Sequence, residues 1–271
     1  MPQPISESAL RLVDSHAHLD MSVYDTDRED VLWRAGEARV SAIISVGIDL
    51  ASSREAIILA AKYPSVFASV GIHPQESSNI SIKDIEALSV LTRENRVVAI
   101  GEIGLDFYRI HAPAEQQIRV LEWQLEFADT RGLPVIIHSR QAEKEMLTVL
   151  KTWRSRRVHP EKDAGVIHCF NGTLDTAKTY MDMGFYVSVG AYIGYPSSKT
   201  FREVVKEIPL DRILIETDSP FLPPQRIRGE RNEPAYMVEV ARVLAEIKGI
   251  SIEEVALNTT SNATNLFKLQ L

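Results

Sequence analysis

Short runs rich in Val, Ile and Ala, each ending in a turn, alternate with longer amphipathic stretches from residue 10 to residue 250. Parallel strands cannot be joined by a tight hairpin and need a crossover of a dozen or more residues, so this alternation is the mark of βαβ units in a parallel sheet. Eight strands are predicted, at Leu10 to Ser15, Ser41 to Gly47, Val66 to Gly71, Arg96 to Gly101, Leu133 to Ile137, Gly165 to Ile167, Phe185 to Gly190 and Arg212 to Thr217. Between them the apolar residues recur at helical spacing, with Ile118, Leu121, Leu125 and Ala128 on one stripe and Met237, Val240, Ala241 and Leu244 on another. Pro234 suits a first helical turn, and Ser251-Ile252-Glu253-Glu254 opens a last helix with a capping-box pattern. Eight such units in about 250 residues predict an α/β fold, a single (β/α)8 TIM barrel over residues 1–271 with an extra C-terminal helix. An open doubly wound sheet is the alternative, because periodicity does not report closure.

Composition narrows the functional classes. No run approaches the roughly 18 apolar residues of a membrane span, and Met1 to Glu7 lacks the basic and apolar regions of a signal peptide. With a single cysteine no internal disulfide can form, and together these features predict a soluble, cytoplasmic protein with no membrane contact. The net charge of −7 argues against a broad basic face for nucleic acid, though it leaves room for one small, locally positive site. No protein partner is indicated and a monomer is expected.

In a parallel barrel the functional groups gather where strands end, on the C-terminal face. Strand one ends in His16-Ala17-His18, strand three runs into His73, strand four into Glu102, strand five into His138, strand six into His168 and strand eight into Asp218. Five of the seven histidines thus fall at strand ends, with His111 and His159 in loops. Side chains alternate along a strand, so His16 and His18 point to the same side and can share a cation. Six imidazole and carboxylate ligands exceed the need of one four-coordinate ion, and two divalent metals fit better than one. Imidazole favours Zn²⁺ and Mn²⁺, whereas carboxylates and open water positions allow Mg²⁺.

Other residues support this set. Glu216 and Asp14 each precede a candidate ligand by two positions and are expected to support it from behind. The glycines of Gly101-Glu102-Ile103-Gly104-Leu105-Asp106 suggest a backbone approached closely by another group, and Asp106 is given a structural role. Cys169 directly follows His168, so alternation is expected to turn its sulfur away from the metal face. The proline-bearing stretch Ser219 to Glu233, with Arg226, Arg228 and Arg231, is expected to form an active-site loop, and with Arg109 and Arg140 it offers guanidinium groups for phosphate. Paired cations with no protein nucleophile point to hydrolysis, most naturally an in-line displacement at phosphorus.

These residues also carry a family resemblance. Val13-Asp14-Ser15-His16-Ala17-His18-Leu19, Gly71-Ile72-His73-Pro74, Gly101 to Asp106, His138-Ser139-Arg140, His168-Cys169-Phe170-Asn171-Gly172, Glu216-Thr217-Asp218-Ser219-Pro220 and Arg231-Asn232-Glu233-Pro234 together resemble the TatD family of metal-dependent deoxyribonucleases, in order and over nearly the whole chain. The resemblance implies a TIM barrel that cleaves DNA with divalent cations, Mg²⁺ in particular, often as an exonuclease from the 3′ end. It implies that His16, His18 and Asp218 hold one ion and His138 and His168 the second, with Glu102 bridging. It also makes Asp218 the group that takes a proton from the attacking water, His73 a contact to the scissile phosphate, and Arg231 and Asn232 part of the nucleotide site. Glu230 stands where the family usually has Lys, and Asn171 where it often has Ser. The expected substrate is DNA, single-stranded or at 3′ ends. The alternative is an amidohydrolase or phosphotriesterase type of hydrolase, many of which bridge their metals with a carbamylated lysine where this chain has Glu102.

Overall fold

The computed structural model describes residues 11–109 and 111–271, so Leu10 and the Met1 to Glu7 stretch lie outside the described residues. Eight strands pair in parallel in chain order: β1 (Leu12–Ala17), β2 (Val40–Val46), β3 (Val66–Val70), β4 (Val97–Asp106), β5 (Val135–Arg140), β6 (Gly165–Ile167), β7 (Phe185–Val189) and β8 (Ile213–Ile215). Seven helices cross between them: α1 (Arg28–Glu37), α2 (Leu50–Lys62), α3 (Ile82–Leu91), α4 (Ala114–Arg131), α5 (Glu143–Arg154), α6 (Leu174–Asp182) and α7 (Lys199–Glu207). Two more, α8 (Met237–Lys248) and α9 (Ile252–Phe267), follow β8. Among the described residues no helix is long and apolar enough to cross a membrane.

The last strand returns to the first, which makes the barrel rather than the open sheet. Closure uses the chain just past β8: Asp218 N–H donates to the His16 carbonyl at 2.9 Å and His18 N–H to the Ser219 carbonyl at 2.8 Å. The Asp14 carboxylate completes the seam, accepting from Thr217 N–H at 2.9 Å and the Thr217 hydroxyl at 2.5 Å. A side chain thereby takes the place of a ladder carbonyl where the paired strands run out, and no buried N–H is orphaned there.

Two apolar layers hold the barrel. Between sheet and helices, Phe185 packs against Trp153 of α5 and Tyr180 of α6 with ring centroids 6.2 Å apart in each case. The helical stripes read from the sequence face this layer, with Leu121, Leu125, Ala128, Met237, Val240, Ala241 and Leu244 all buried. Inside the barrel, Val13, Ile44, Val46, Phe67, Ile136, Val166 and Leu214 form one cluster with Leu266 and Phe267 of α9. The predicted C-terminal helix therefore plugs the N-terminal end of the barrel. Its Asn262 amide donates to the carbonyls of Leu210 and Ile213, and its N-cap Ser251 accepts from Glu254 N–H at 3.1 Å. With one end filled, the opposite end is left for chemistry.

The glycines around Glu102 answer to a neighbouring strand. Gly104 has φ +150°, and a Cβ there would lie 1.9 Å from the His138 carbonyl oxygen. At Gly101 a Cβ would meet the Ile136 side chain at 2.5 Å. The close approach suggested by the sequence is thus that of β5 onto β4, and it sets the distance between Glu102 and His138.

Candidate active site

All seven predicted chemical residues meet at the C-terminal mouth. β1 brings His16, and His18 follows directly after it; β4 brings Glu102 from its own middle, since that strand runs on to Asp106; β5 brings His138. His73, His168 and Asp218 stand just past the ends of β3, β6 and β8. His16, His18, Glu102 and His168 are buried, and the exposed fraction of the Asp218 side chain, 14%, makes it the more accessible of the two central carboxylates beside the 4% of Glu102.

The carboxylate of Glu102 divides the cluster. Its Oε2 faces His16 Nε2 at 3.4 Å and His18 Nε2 at 3.8 Å. Asp218 Oδ1 completes that side, 3.8 Å from His16 Nε2 and 3.6 Å from His18 Nε2. The other oxygen, Oε1, faces His138 Nδ1 at 2.8 Å, His168 Nε2 at 3.6 Å and His73 Nε2 at 3.6 Å. The backbone bends to permit this: Asp218 has φ +54° and Cys169 φ +48°, conformations that residues with a Cβ rarely adopt and that concentrate at functional sites.

Outer partners fix which imidazole nitrogen faces inward. His18 Nδ1 lies 3.3 Å from the Val46 carbonyl, which only accepts, so Nδ1 carries the proton and Nε2 turns a lone pair to the centre. His168 Nδ1 lies 3.0 Å from Glu216 Oε1, which orients that ring in the same sense. His73 is the reverse. Its Nδ1 accepts from Gln75 N–H at 3.1 Å, so Nε2 is the protonated nitrogen and presents a donor, not a lone pair. Asp106 Oδ2 stands 3.4 Å from His138 Nε2 and accepts from the Gln75 amide at 2.9 Å, which ties the two histidines through one carboxylate.

The electrostatics follow from this packing. Burial alone would raise Glu102, but the imidazoles of His73 and His16, with the hydrogen bond to His138, hold its carboxyl well below the usual carboxylate range. Asp218 is held low in the same way, burial being outweighed by His18, His168 and His16. Burial depresses His73 to about 4, leaving it neutral near pH 7. His168 moves up to about 10, because Glu216 and then Glu102 outweigh its desolvation. His18 and His138 are also raised, against burial, by Asp218 and Glu102 in the first case and Asp106 and Glu102 in the second.

These residues suit divalent cations. His16 Nε2 and His18 Nε2 stand 3.3 Å apart, with carboxylate oxygens of Glu102 and Asp218 beside both, a crowd of donor atoms that only a shared proton or cation reconciles. Groups of potential ligand atoms within 4.8 Å of one another comprise His16, His18 and Asp218; His16, Glu102 and His168; and His73, Glu102 and His138. Nitrogen and oxygen donors without sulfur at the centre suit Mg²⁺, Mn²⁺ or Zn²⁺.

One expectation from the sequence is corrected. Cys169 does not turn away: its positive φ breaks strand alternation, and its sulfur lies within 4.8 Å of ligand atoms of His168 and Glu216, although burial pushes the thiol up and keeps it protonated. Arg231 donates to Asp27, the N-cap of α1, at 2.5 and 2.9 Å and to the Val23 carbonyl, so its guanidinium braces the loop against the segment leading into α1. Asn232 is wholly buried, and its amide donates to the carbonyls of Thr217 at 2.9 Å and Phe221 at 2.7 Å. It shapes the loop behind Asp218. Glu216 and Asp14 do lie behind His168 and the β1 seam, as their spacing suggested. Gln75 and Asp106 join the site as partners of His73 and His138, and their only signal in the sequence is that each is a polar residue a few positions beyond a predicted strand end.

Known proteins resemble this chain over nearly its whole length. The chain is 40% identical over 258 residues to an uncharacterized metal-dependent hydrolase, YabD, of Bacillus subtilis, covering 95% of this chain and 99% of that one. It is 33% identical over 264 residues to a 3′-5′ ssDNA/RNA exonuclease, TatD, of Erwinia tasmaniensis, covering 95% and 100%. The crystal structure of YjjV, a TatD homologue of Escherichia coli K12, superposes with a TM-score of 0.89 at 32% identity, covering 96% of this chain and 99% of that one. The profile of the TatD-related DNase family matches residues 13–268. The chain belongs to that family and is a metal-dependent hydrolase.

Proposed function

We propose that this protein is a two-metal phosphodiesterase that removes nucleotides from the 3′ end of single-stranded DNA, with Mg²⁺ as its working ion and Mn²⁺ or Zn²⁺ as substitutes. The observation that carries the reading is the division of Glu102: Oε2 faces His16 and His18, Oε1 faces His138 and His168, and the one carboxylate lies between two sets of ligand atoms. The exonuclease name of the Erwinia tasmaniensis relative supports the substrate and polarity.

Divalent cations held there would supply positive charge that lowers the pKa of nearby water and offsets charge developing on phosphate oxygens. The chain's own residues do the rest. Asp218, kept ionised and the more exposed of the central carboxylates, accepts the proton of the attacking water. His73 stays neutral and directs an N–H, so it donates to a non-bridging phosphate oxygen without competing for a cation. Glu216 and Asp106 keep His168 and His138 from rotating out of position. A local charge of +4 from two divalent ions would hold a phosphate despite the net charge of −7, and that acidic balance predicts a low affinity for long duplex DNA.

Purified protein, freed of metal and supplied with Mg²⁺ or Mn²⁺, should shorten 5′-labelled single-stranded DNA one nucleotide at a time. RNA and duplex DNA run in parallel define the preference. Asp218→Asn and Glu102→Ala should abolish the reaction while circular dichroism stays that of the parent. Hydrolysis persisting in both variants, or shortening from the 5′ end only, would overturn the reading.

A further inference from the structure

A cavity of about 600 Å³ opens beside the carboxylate centre, between the segments that follow β5, β6 and β7. His168 and Cys169 form its inner wall, so the imidazole that faces Glu102 on one edge borders the cavity on another. Its floor is apolar and aromatic. Phe170 and Tyr180 are buried, and Phe201 packs on Phe170 and Tyr192 with centroids 6.0 Å apart in both pairs. The rim is polar and exposed, with Gln141, Glu143, Asn171 and Thr200 around the opening. A concave apolar floor with a few polar groups at the edge is the build of a small-molecule site, and the volume falls within the usual range of roughly 300–1,000 Å³.

The charge at the rim selects the occupant. The first turns of α5, α6 and α7 all approach the cavity, and three helix N-termini would ordinarily favour an anion. Here Glu143, the first residue of α5, already supplies the negative charge. Its Oε1 accepts from the Thr176 hydroxyl of α6 at 3.0 Å, and Thr173 caps α6 by accepting Thr176 N–H at 3.1 Å. A phosphate would meet that carboxylate. A flat group with a π-face for the aromatic floor and N–H donors for Glu143 would not.

We propose that this cavity receives the nucleobase of a nucleotide flanking the scissile phosphate, so that stacking in it positions the diester at the centre. The inference rests on the phosphodiesterase reading for its choice of ligand. Phosphate stays at the cation centre while the base leans past His168 onto Phe201, the partly exposed ring of that floor. Stacking is tolerant of sequence, so this device secures nucleotide ends without reading which base they carry.

The test uses the whole protein with Mn²⁺, the dinucleotide thymidylyl-thymidine, and two analogues lacking the base on one side or the other. One analogue should be cleaved with kcat/KM lowered about tenfold or more, from the usual worth of one stacked base. Thr200→Trp, an exposed position on α7, fills the cavity and should bring the ratio between intact and base-lacking substrate close to one. Calorimetric binding of free thymidine should be lost in the same variant. Both analogues cleaved within twofold of the intact dinucleotide, or a Thr200→Trp that slows all three equally, would overturn the assignment. Should the wild type cleave none of them, the phosphodiesterase reading fails by itself. Thymidine binding then decides the cavity: binding that Thr200→Trp abolishes upholds it, and absent or insensitive binding rejects it.

Discussion

Glu216 should control how tightly the cluster holds a cation even though it is not among the proposed ligands. Its Oε1 stands 3.0 Å from His168 Nδ1 and accepts Cys169 N–H at 2.7 Å, while Oε2 accepts the Ser188 hydroxyl at 2.5 Å. In Glu216→Gln the carboxamide oxygen can keep the two N–H donors, and the Ser188 hydroxyl can rotate to accept from the new NH₂. Only the charge is lost. In Glu216→Ala the His168 ring loses its orienting partner and its Nδ1–H is left unpaired, while Cys169 N–H keeps only its longer bond, 3.3 Å, to the Ser188 hydroxyl. Such outer partners are worth about 10–100-fold in metal affinity, so Gln should fall near the tenfold end and Ala near the hundredfold end, or about 1.4 and 2.7 kcal/mol. The alanine variant should also lose about 1–3 kcal/mol of stability for that orphaned buried donor. Mn²⁺ titration of chelator-treated protein by calorimetry, beside thermal unfolding of each variant, provides both numbers. Affinities within twofold of wild type in both variants would refute the claim that Glu216 positions His168 as a ligand.

Cation loading should release protons near pH 8, because His168 binds its proton up to about pH 10 in metal-free protein; uptake of Mn²⁺ in weakly buffered solution with no acidification would contradict this. The same shift makes metal-free stability depend on pH. The folded state holds that proton more tightly than the unfolded chain, so the contribution is complete below the unfolded value of 6.5 and fades as pH rises towards 10, a decline that saturating Mn²⁺ should mask in unfolding curves. His73→Ala removes the proposed N–H donor to phosphate and should lower kcat about 10²–10³-fold with metal content unchanged by atomic absorption; loss of metal instead would make His73 a ligand. Phe185→Ala, at a wholly buried ring between Trp153 and Tyr180, should cost about 3–5 kcal/mol in denaturant unfolding, and a cost below 1 kcal/mol would deny that the outer layer carries the barrel.

The parts of the site legible in the sequence are those set by strand ends. A barrel places every strand terminus at one rim, so His16, His18, His73, Glu102, His138, His168 and Asp218 could be gathered without knowing any distance. What failed was finer than that rule. Alternation mispredicted Cys169 because the chain leaves β6 with a positive φ, and no periodicity reports a single dihedral angle. The family resemblance places Arg231 and Asn232 at the nucleotide site, but it does not show what holds them: Asp27 at the N-cap of α1 and two carbonyls of their own loop, contacts that exist only once the loop is folded. The same limit hid barrel closure, since the Asp14 to Thr217 seam joins residues 203 positions apart. The division of Glu102 between two ligand groups is a matter of ångströms and belongs to the structure alone.

That division is the central claim, and anomalous diffraction from crystals grown with Mn²⁺ tests it most directly. The account predicts two manganese peaks on opposite sides of the Glu102 carboxylate, one against His16, His18 and Asp218 and the other against His138 and His168. A single peak at saturating metal, or one lodged among His168, Cys169 and Glu216 with the Glu102 carboxylate left unshared, would contradict it.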